Sequence, residues 1–255
     1  MWRSRTANDQ SLEEEHTTQA VAARLGRGPR HSYLRDFVYG ATDGAVTTFA
    51  VVAGVFGADL ASGVVLILGV GNLLADGFSM AISNYLGTRA EQEEHQLARR
   101  REEAHIRMIP EGEREELRQI FAAKGFSGDE LERVVDVITA DSRQWVDVMM
   151  REELGIATEE VSAPKGALYT FLAFLTIGAL PLIAYVYEAF FPGQMESPFY
   201  WSAFMTGVAF FIIGSIKGRF VQQPWLRSAL ETLAIGSTAA ALAFVAGVTL
   251  KGLVE

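Results

Sequence analysis

Residues 60–88 read LASGVVLILGVGNLLADGFSMAISNYLGT, and residues 37–58 just before them read FVYGATDGAVTTFAVVAGVFGA. Each stretch holds a single charge, Asp76 in the later one and Asp43 in the earlier. About 20 consecutive apolar residues suffice for a helix to cross a bilayer, so the two stretches predict a transmembrane hairpin. A carboxylate in hydrocarbon costs on the order of a few kcal/mol and by default marks an ion path, a proton relay or a buried partner. The fold therefore turns on what these two acids meet.

Three more apolar spans follow, at about 167–191, 199–216 and 228–250. Pro192, Gly193 and Pro198 mark the turn between the first two of them, and Pro224 precedes the last. Arg30 and Arg35 lead into span one, and Lys217, Arg219 and Arg227 follow span four, whereas the turns at 57–62 and 192–198 carry no Lys or Arg. Lys/Arg bias sets orientation. It predicts a cytoplasmic N-terminus and 217–227 loop and a C-terminus on the far side, as five spans require. Asp59 or Ser62 is placed to cap the second span.

Charge is segregated along the chain. Residues 91–160 hold 19 Asp or Glu and 10 Lys or Arg, a net of −9, which is the net charge of the whole 255-residue chain. Such a segment repels nucleic acid and attracts cations. With no cysteine in the sequence, thiolate metal sites, disulfides and redox thiols are excluded. Residues 1–30 are polar, with no apolar core of a signal peptide, and read as a mobile cytoplasmic tail. His16 and His31 stand alone there and make no metal-binding tract.

The expected fold class is an all-α integral membrane protein. Residues 31–90 carry helices one and two, 91–164 form an acidic cytoplasmic insert of three to four helices, and 165–255 carry helices three to five. Within the insert, span two continues unbroken to about Arg107, and Pro110 ends it. A helix over 111–124 stops at Gly125. Ser127 with Glu130 forms a capping-box pattern. A helix over 141–154 ends at Gly155, and residues 163–166 link back to the membrane. The glycines Gly40, Gly44, Gly54, Gly57, Gly69, Gly71 and Gly77 line small-residue faces of the kind that let helices pack closely in lipid.

Polar residues recur on these faces. Asn72, Asp76, Met80 and Asn84 are four apart on span two, and Asp36 and Asp43 are two turns apart on span one. Counting from the cytoplasmic edge at 1.5 Å per residue puts Asp43 at ~9 Å and Met80 at ~12 Å, with Asp76 deeper. Carboxylate oxygen with thioether sulfur favours Fe²⁺ or later metals over Mg²⁺ and Ca²⁺. Met80 alone is as simply a packing residue, and Asn72 and Asn84 can merely bond between helices. In the insert, Glu102/His105, Glu113/Glu116 and Met149/Met150/Glu153 share helical faces. Their carboxylates, imidazole and thioethers suit Fe²⁺, Mn²⁺, Co²⁺ or Zn²⁺. Arg99–Arg101, Arg107, Arg114 and Arg118 are placed to neutralise many of these acids.

Five segments in order carry a resemblance to the vacuolar iron transporter family over residues 31–253: DFVYGATDGAVTTFAVVAG, GNLLADGFSMAISNYLGTRAE, IPEGEREEL, KGFS and MMREELG. The resemblance implies a transporter rather than an enzyme, a homodimer with five spans per subunit and a pathway at the dimer interface. It also implies export of Fe²⁺ from the cytosol in exchange for protons, with metal as substrate, protons as coupling ion and no permanent cofactor. It assigns Asp43 and Met80 to the pathway, Asp36 to its mouth, and Glu102, Glu113, Glu116, Met149, Met150 and Glu153 to the insert's metal site. The chain departs from the family at His105, where glutamate is favoured. It also has Asn72 where the family has an acid and Asp76 where an amide is common, which leaves Asp43 and Asp76 as rival proton carriers. A cell (inner) membrane is expected in preference to a vacuolar one. The rival functions are an iron-oxidising or storage protein built on Glu102-x-x-His105, for which a second such pair is missing, and a metal sensor.

Overall fold

A computed structural model describes residues 14–27, 32–156 and 161–253, and all regular structure among them is helical. Residues 1–13 and 28–31, hence most of the expected tail and His31, lie outside the described residues. The described part of the tail contains helix α1 (Thr18–Arg27), which hydropathy gave no reason to expect. The chain then forms α2 (Leu34–Gly57), α3 (Ser62–Met108), α4 (Pro110–Ala123), α5 (Gly128–Thr139) and α6 (Ser142–Glu152). It continues with α7 (Ala163–Gly178), α8 (Ile183–Phe190), α9 (Pro198–Phe220) and α10 (Trp225–Leu250). Five helical stretches are long and apolar enough to cross a membrane: α2, α3, α7 with α8, α9 and α10. The described residues divide into two compact units, one drawn from 33–92 and 162–253 and the other from 14–32 and 93–161.

In the first unit, α2 is the central helix. Gly40 and Gly44 bring its backbone against α7, so that a Cβ at Gly40 would sit 2.3 Å from the Thr170 carbonyl oxygen and one at Gly44 2.6 Å from that of Phe174. Its other end packs on α10, where a Cβ at Gly57 would meet the Phe244 carbonyl at 2.5 Å and one at Gly247 the Gly54 carbonyl at 2.2 Å. Gly69 and Gly77 of α3 face side chains of Leu182 and Phe174 instead, and Gly71 has nothing within 4 Å. The glycine faces are thus packing surfaces, with Gly71 the exception. Phe49, Val52, Leu73, Phe174, Leu182 and Tyr185 fill the core between these helices. Exposed Ile67, Leu74, Phe78 and Leu86 give α3 an apolar outer face, as a lipid-facing helix needs.

Four local expectations are corrected. The third span is two helices, α7 and α8, joined by a 3-10 turn at Leu180–Leu182. Pro181 lacks the N–H that would continue the helix, and its carbonyl accepts a 2.6 Å hydrogen bond from Ser202 Oγ. Residues 163–166 are the first turn of α7, with Pro164 near its start, where a missing N–H costs nothing. Neither Asp59 nor Ser62 stands at the residue before α3. Asp59 has a left-handed φ of 58° and its carboxylate pairs with Lys251 at 2.8 Å, joining the α2–α3 turn to the end of α10.

The fourth correction lies in the second unit, where Ser127 occupies the position before α5 but its hydroxyl makes no capping bond. Asp141 does cap α6, accepting from the Arg143 N–H at 2.9 Å. Gly125 (φ 100°) and Gly155 (φ 65°) supply the left-handed residues that stop α4 and α6. Leu117, Val135, Ile138, Trp145 and Met149 form this unit's core.

Candidate functional site

Two groups of acids stand out, one in each unit. Along α2 and α3 of the first unit runs a polar seam. Asn84 Nδ2 donates to Asp36 Oδ1 at 2.8 Å, and Asn72 Nδ2 donates to Thr47 Oγ1 at 3.2 Å. Thr47 in turn donates to the Asp43 carbonyl at 3.0 Å. These two cross-links fix an antiparallel register, pairing 36 with 84 and 47 with 72. Interpolation between them sets Asp43 opposite Asp76 and Gly40 opposite Met80.

This register corrects the depths counted from sequence. Met80 is not level with Asp43 but about one turn, ~5 Å, nearer the Asp36–Asn84 end. Asp76 is level with Asp43 rather than deeper. The count failed because it started both helices at assumed membrane edges, whereas hydrogen bonds between them set their offset. Met80 is partly buried and packs against the core around Phe49, Leu73 and Phe174. Asn72 spends its amide on Thr47. No Lys or Arg pairs with Asp43 or Asp76 among the described residues.

In the second unit, α3 brings Glu102 and His105 toward Glu113 of α4. Glu102 is 4% exposed and Glu113 2%, yet Glu102 Oε1 and Glu113 Oε2 have no hydrogen-bond partner. His105 Nδ1 lies 3.4 Å from Glu113 Oε1. Burial raises the Glu102 carboxyl to about 8, reinforced by Glu113 and by the charges of Glu153 and Glu116. Partial burial also raises Glu153, followed by Glu116 and Glu113, with His105 acting in the opposite direction. A buried unpaired acid and like charges both favour the neutral form.

The basic residues bypass these four acids. Arg99 pairs with Asp147 at 2.7 Å and Glu103 at 3.4 Å. Arg118 takes Glu132 and Glu115, Arg114 takes Asp136, and Lys124 takes Glu152. Glu102, Glu113, Glu116 and Glu153 have no Lys or Arg partner among the described residues. The neutralisation that the sequence allowed falls on other acids. Neither Met149 nor Met150 is exposed. Met149 is fully buried among Leu117, Val135, Ile138 and Trp145, while Met150, also buried, lies outside that core. The described residues contain no ready group of three or more His, Asp or Glu side chains able to hold an ion. Uncompensated carboxylates repel one another, so acids gathered in this way do not converge on one point without a cation.

The sequence of the described helices matches the model of the VIT family over residues 34–248. The chain belongs to the VIT family. Among its relatives, the vacuolar iron transporter of Toxoplasma gondii (strain ATCC 50861 / VEG) is 36% identical over 86% of this chain and 74% of its own length. Vacuolar iron transporter 1 of Arabidopsis thaliana is 32% identical over 92% of this chain and 90% of its own. The vacuolar iron transporter of Plasmodium berghei (strain Anka) is 33% identical over 86% and 82%. VIT family members are transporters, not enzymes, and the five long apolar helices make this one a multi-pass membrane protein.

Within this VIT family chain, sequence reasoning left Thr47 and Thr170 of the seam without a role and gave Asn84 only that of bonding between helices. Thr47 and Thr170 gave no signal, because a hydroxyl in an apolar helix satisfies itself on its own backbone as readily as across helices. Asn84 did give one, as a member of the four-residue series on α3. It is the junction where Asp36, Thr170 and Thr88 meet.

Proposed function

We propose that the protein exports Fe²⁺ from the cytosol across its membrane in exchange for protons, with Mn²⁺, Co²⁺ and Zn²⁺ as further substrates. The observation that carries this reading is the set of acids left without basic partners: Asp43 and Asp76 in the apolar helices, and Glu102, Glu113, Glu116 and Glu153 in the acidic unit. Structural ion pairing has a use for neither group; a divalent cation has a use for both. The names of the relatives support iron as cargo.

In this reading the acidic unit is cytoplasmic and gathers metal, with His105, Met150 and, after some repacking, Met149 completing the carboxylate set. Imidazole and thioether tilt that set toward transition metals. The ion passes to Asp36 and then to the level of Asp43 and Asp76, with Met80 one turn before it. Two subunits put two such seams at their interface. Asp43 or Asp76 takes up a proton as the metal leaves. Arg35, Arg219 and Arg227 at one end of the membrane helices support a cytoplasmic orientation, and the proposed location is a cell membrane rather than a vacuolar one.

Purified protein in liposomes, with Fe²⁺ kept reduced and a pH gradient imposed, tests the function directly. Flux should follow the gradient. Asp43→Ala protein that exported Fe²⁺ at the wild-type rate would sink the mechanism.

A further inference from the structure

We propose that Asn84 is a positioning residue that makes Asp36 a one-oxygen relay, a proposal that rests on the metal-transport reading above. Every polar atom of the Asn84 side chain has a partner. One Nδ2 proton goes to Asp36 Oδ1 at 2.8 Å and the other to Thr170 Oγ1 at 2.7 Å. Thr88 Oγ1 approaches Asn84 Oδ1 at 3.4 Å as donor. Thr170, having accepted from Asn84, directs its own proton at the Asp36 carbonyl at 3.4 Å. Because Thr170 is completely buried and neighbours the tight α2–α7 contact at Gly40, this junction has little freedom to rotate.

The consequence falls on Asp36. Its Oδ1 is held by the amide, while no hydrogen bond reaches Oδ2 among the described residues. Gly166 lies over the carboxylate, where a Cβ would stand 3.5 Å from Oδ2 and 3.6 Å from Oδ1. The carboxylate is therefore held through Oδ1, with Oδ2 free of hydrogen bonds among the described residues. A carboxylate holds a cation through one oxygen or through two, and conduction requires a site weak enough to release what it binds. Asn84 restricts Asp36 to the one-oxygen mode, so the ion is passed on rather than retained.

Infrared difference spectra of the full-length protein with and without Fe²⁺, taken anaerobically and referenced to Asp36→Asn, read the Asp36 binding mode. The expected wild-type result is the wide splitting between antisymmetric and symmetric stretches of a monodentate carboxylate. Asn84→Ala should narrow it to the chelating value. In liposomes Asn84→Ala should lower both the half-saturating Fe²⁺ concentration and the maximal rate, each about fivefold, as when an interaction that weakens the bound ground state is lost. Thr170→Val, which removes one anchor of the amide, should give a splitting between those of wild type and Asn84→Ala. Equal splitting in wild type and Asn84→Ala, or no Asp36 band responding to metal, would each overturn the proposal. Absence of wild-type flux would reject the transport reading, while the spectra would still decide the role of Asn84.

Discussion

Asp43 and Asp76 occupy one level of the α2–α3 seam, bracketed by the Asp36–Asn84 bond at 2.8 Å on one side and the Thr47–Asn72 bond at 3.2 Å on the other. Two carboxylates at one depth need not do the same work. Asp43→Ala should reduce Fe²⁺ flux roughly tenfold to a hundredfold, the equivalent of one charge-assisted contact of about 1.5–3 kcal/mol. Asp76→Asn should leave residual flux that no longer responds to an imposed pH gradient. Liposome assays with and without the gradient separate the two. A reversed pattern would exchange their roles.

Glu102 makes the acidic unit sensitive to pH. Its carboxyl ordinarily titrates at 4.5 and is raised to about 8 in the folded chain. Between those values the native state holds a proton that the unfolded chain has lost, so stability falls as pH rises through that window. In the presence of chelator, thermal unfolding should therefore move to lower temperature from pH 5 to pH 8, and Glu102→Gln should flatten the trend. Metal should reverse it, since cation and proton compete for the same oxygens, and apparent affinity should rise with pH up to about 8.

Met149 and Met150 are neighbours with different surroundings. Met149→Ala opens a hole in the core around Leu117 and Trp145 and should cost about 2–5 kcal/mol. Met150→Leu keeps the volume and should cost less than about 1.5 kcal/mol while removing a sulfur donor. Denaturation curves and metal titrations on the same preparations test whether stability and binding separate in this way.

Gly40 sits where the α2 backbone touches α7. A Cβ there would lie 2.3 Å from a carbonyl oxygen, and backbone does not yield as a side chain does. Gly40→Ala should destabilise by about 1–3 kcal/mol and disturb the Asp36–Asn84–Thr170 junction, whereas Gly71→Ala, with open space around it, should be silent. Melting temperatures in detergent compare the pair.

His105 lies against Glu113 on the acidic unit. His105→Glu replaces a nitrogen donor with oxygen and should shift competition toward Mn²⁺ and away from Zn²⁺. Displacement titrations with the two metals measure it.

Much of this molecule was legible before any coordinates. Hydropathy located five apolar spans, since any helix in lipid must carry an unbroken apolar surface. Pro110, Gly125 and Gly155 marked helix ends in the acidic unit because a missing N–H or a left-handed φ is a local requirement. The acids that stay without basic partners were visible as charges in the wrong place or on a shared face. Tertiary contacts alone decided how these pieces meet. The offset of α2 against α3 is set by Asn84 on Asp36 and Asn72 on Thr47, and it moved Asp76, not Met80, to the level of Asp43. Which acids stay unpaired depends on which arginine reaches which neighbour, and Arg99 reaching Asp147 is a contact between helices 48 residues apart in the chain. Met149 is buried because of what packs beside it. Sequence spacing carries the period of a helix but not its rotation and offset against the next one, and those two quantities place Asp43 opposite Asp76.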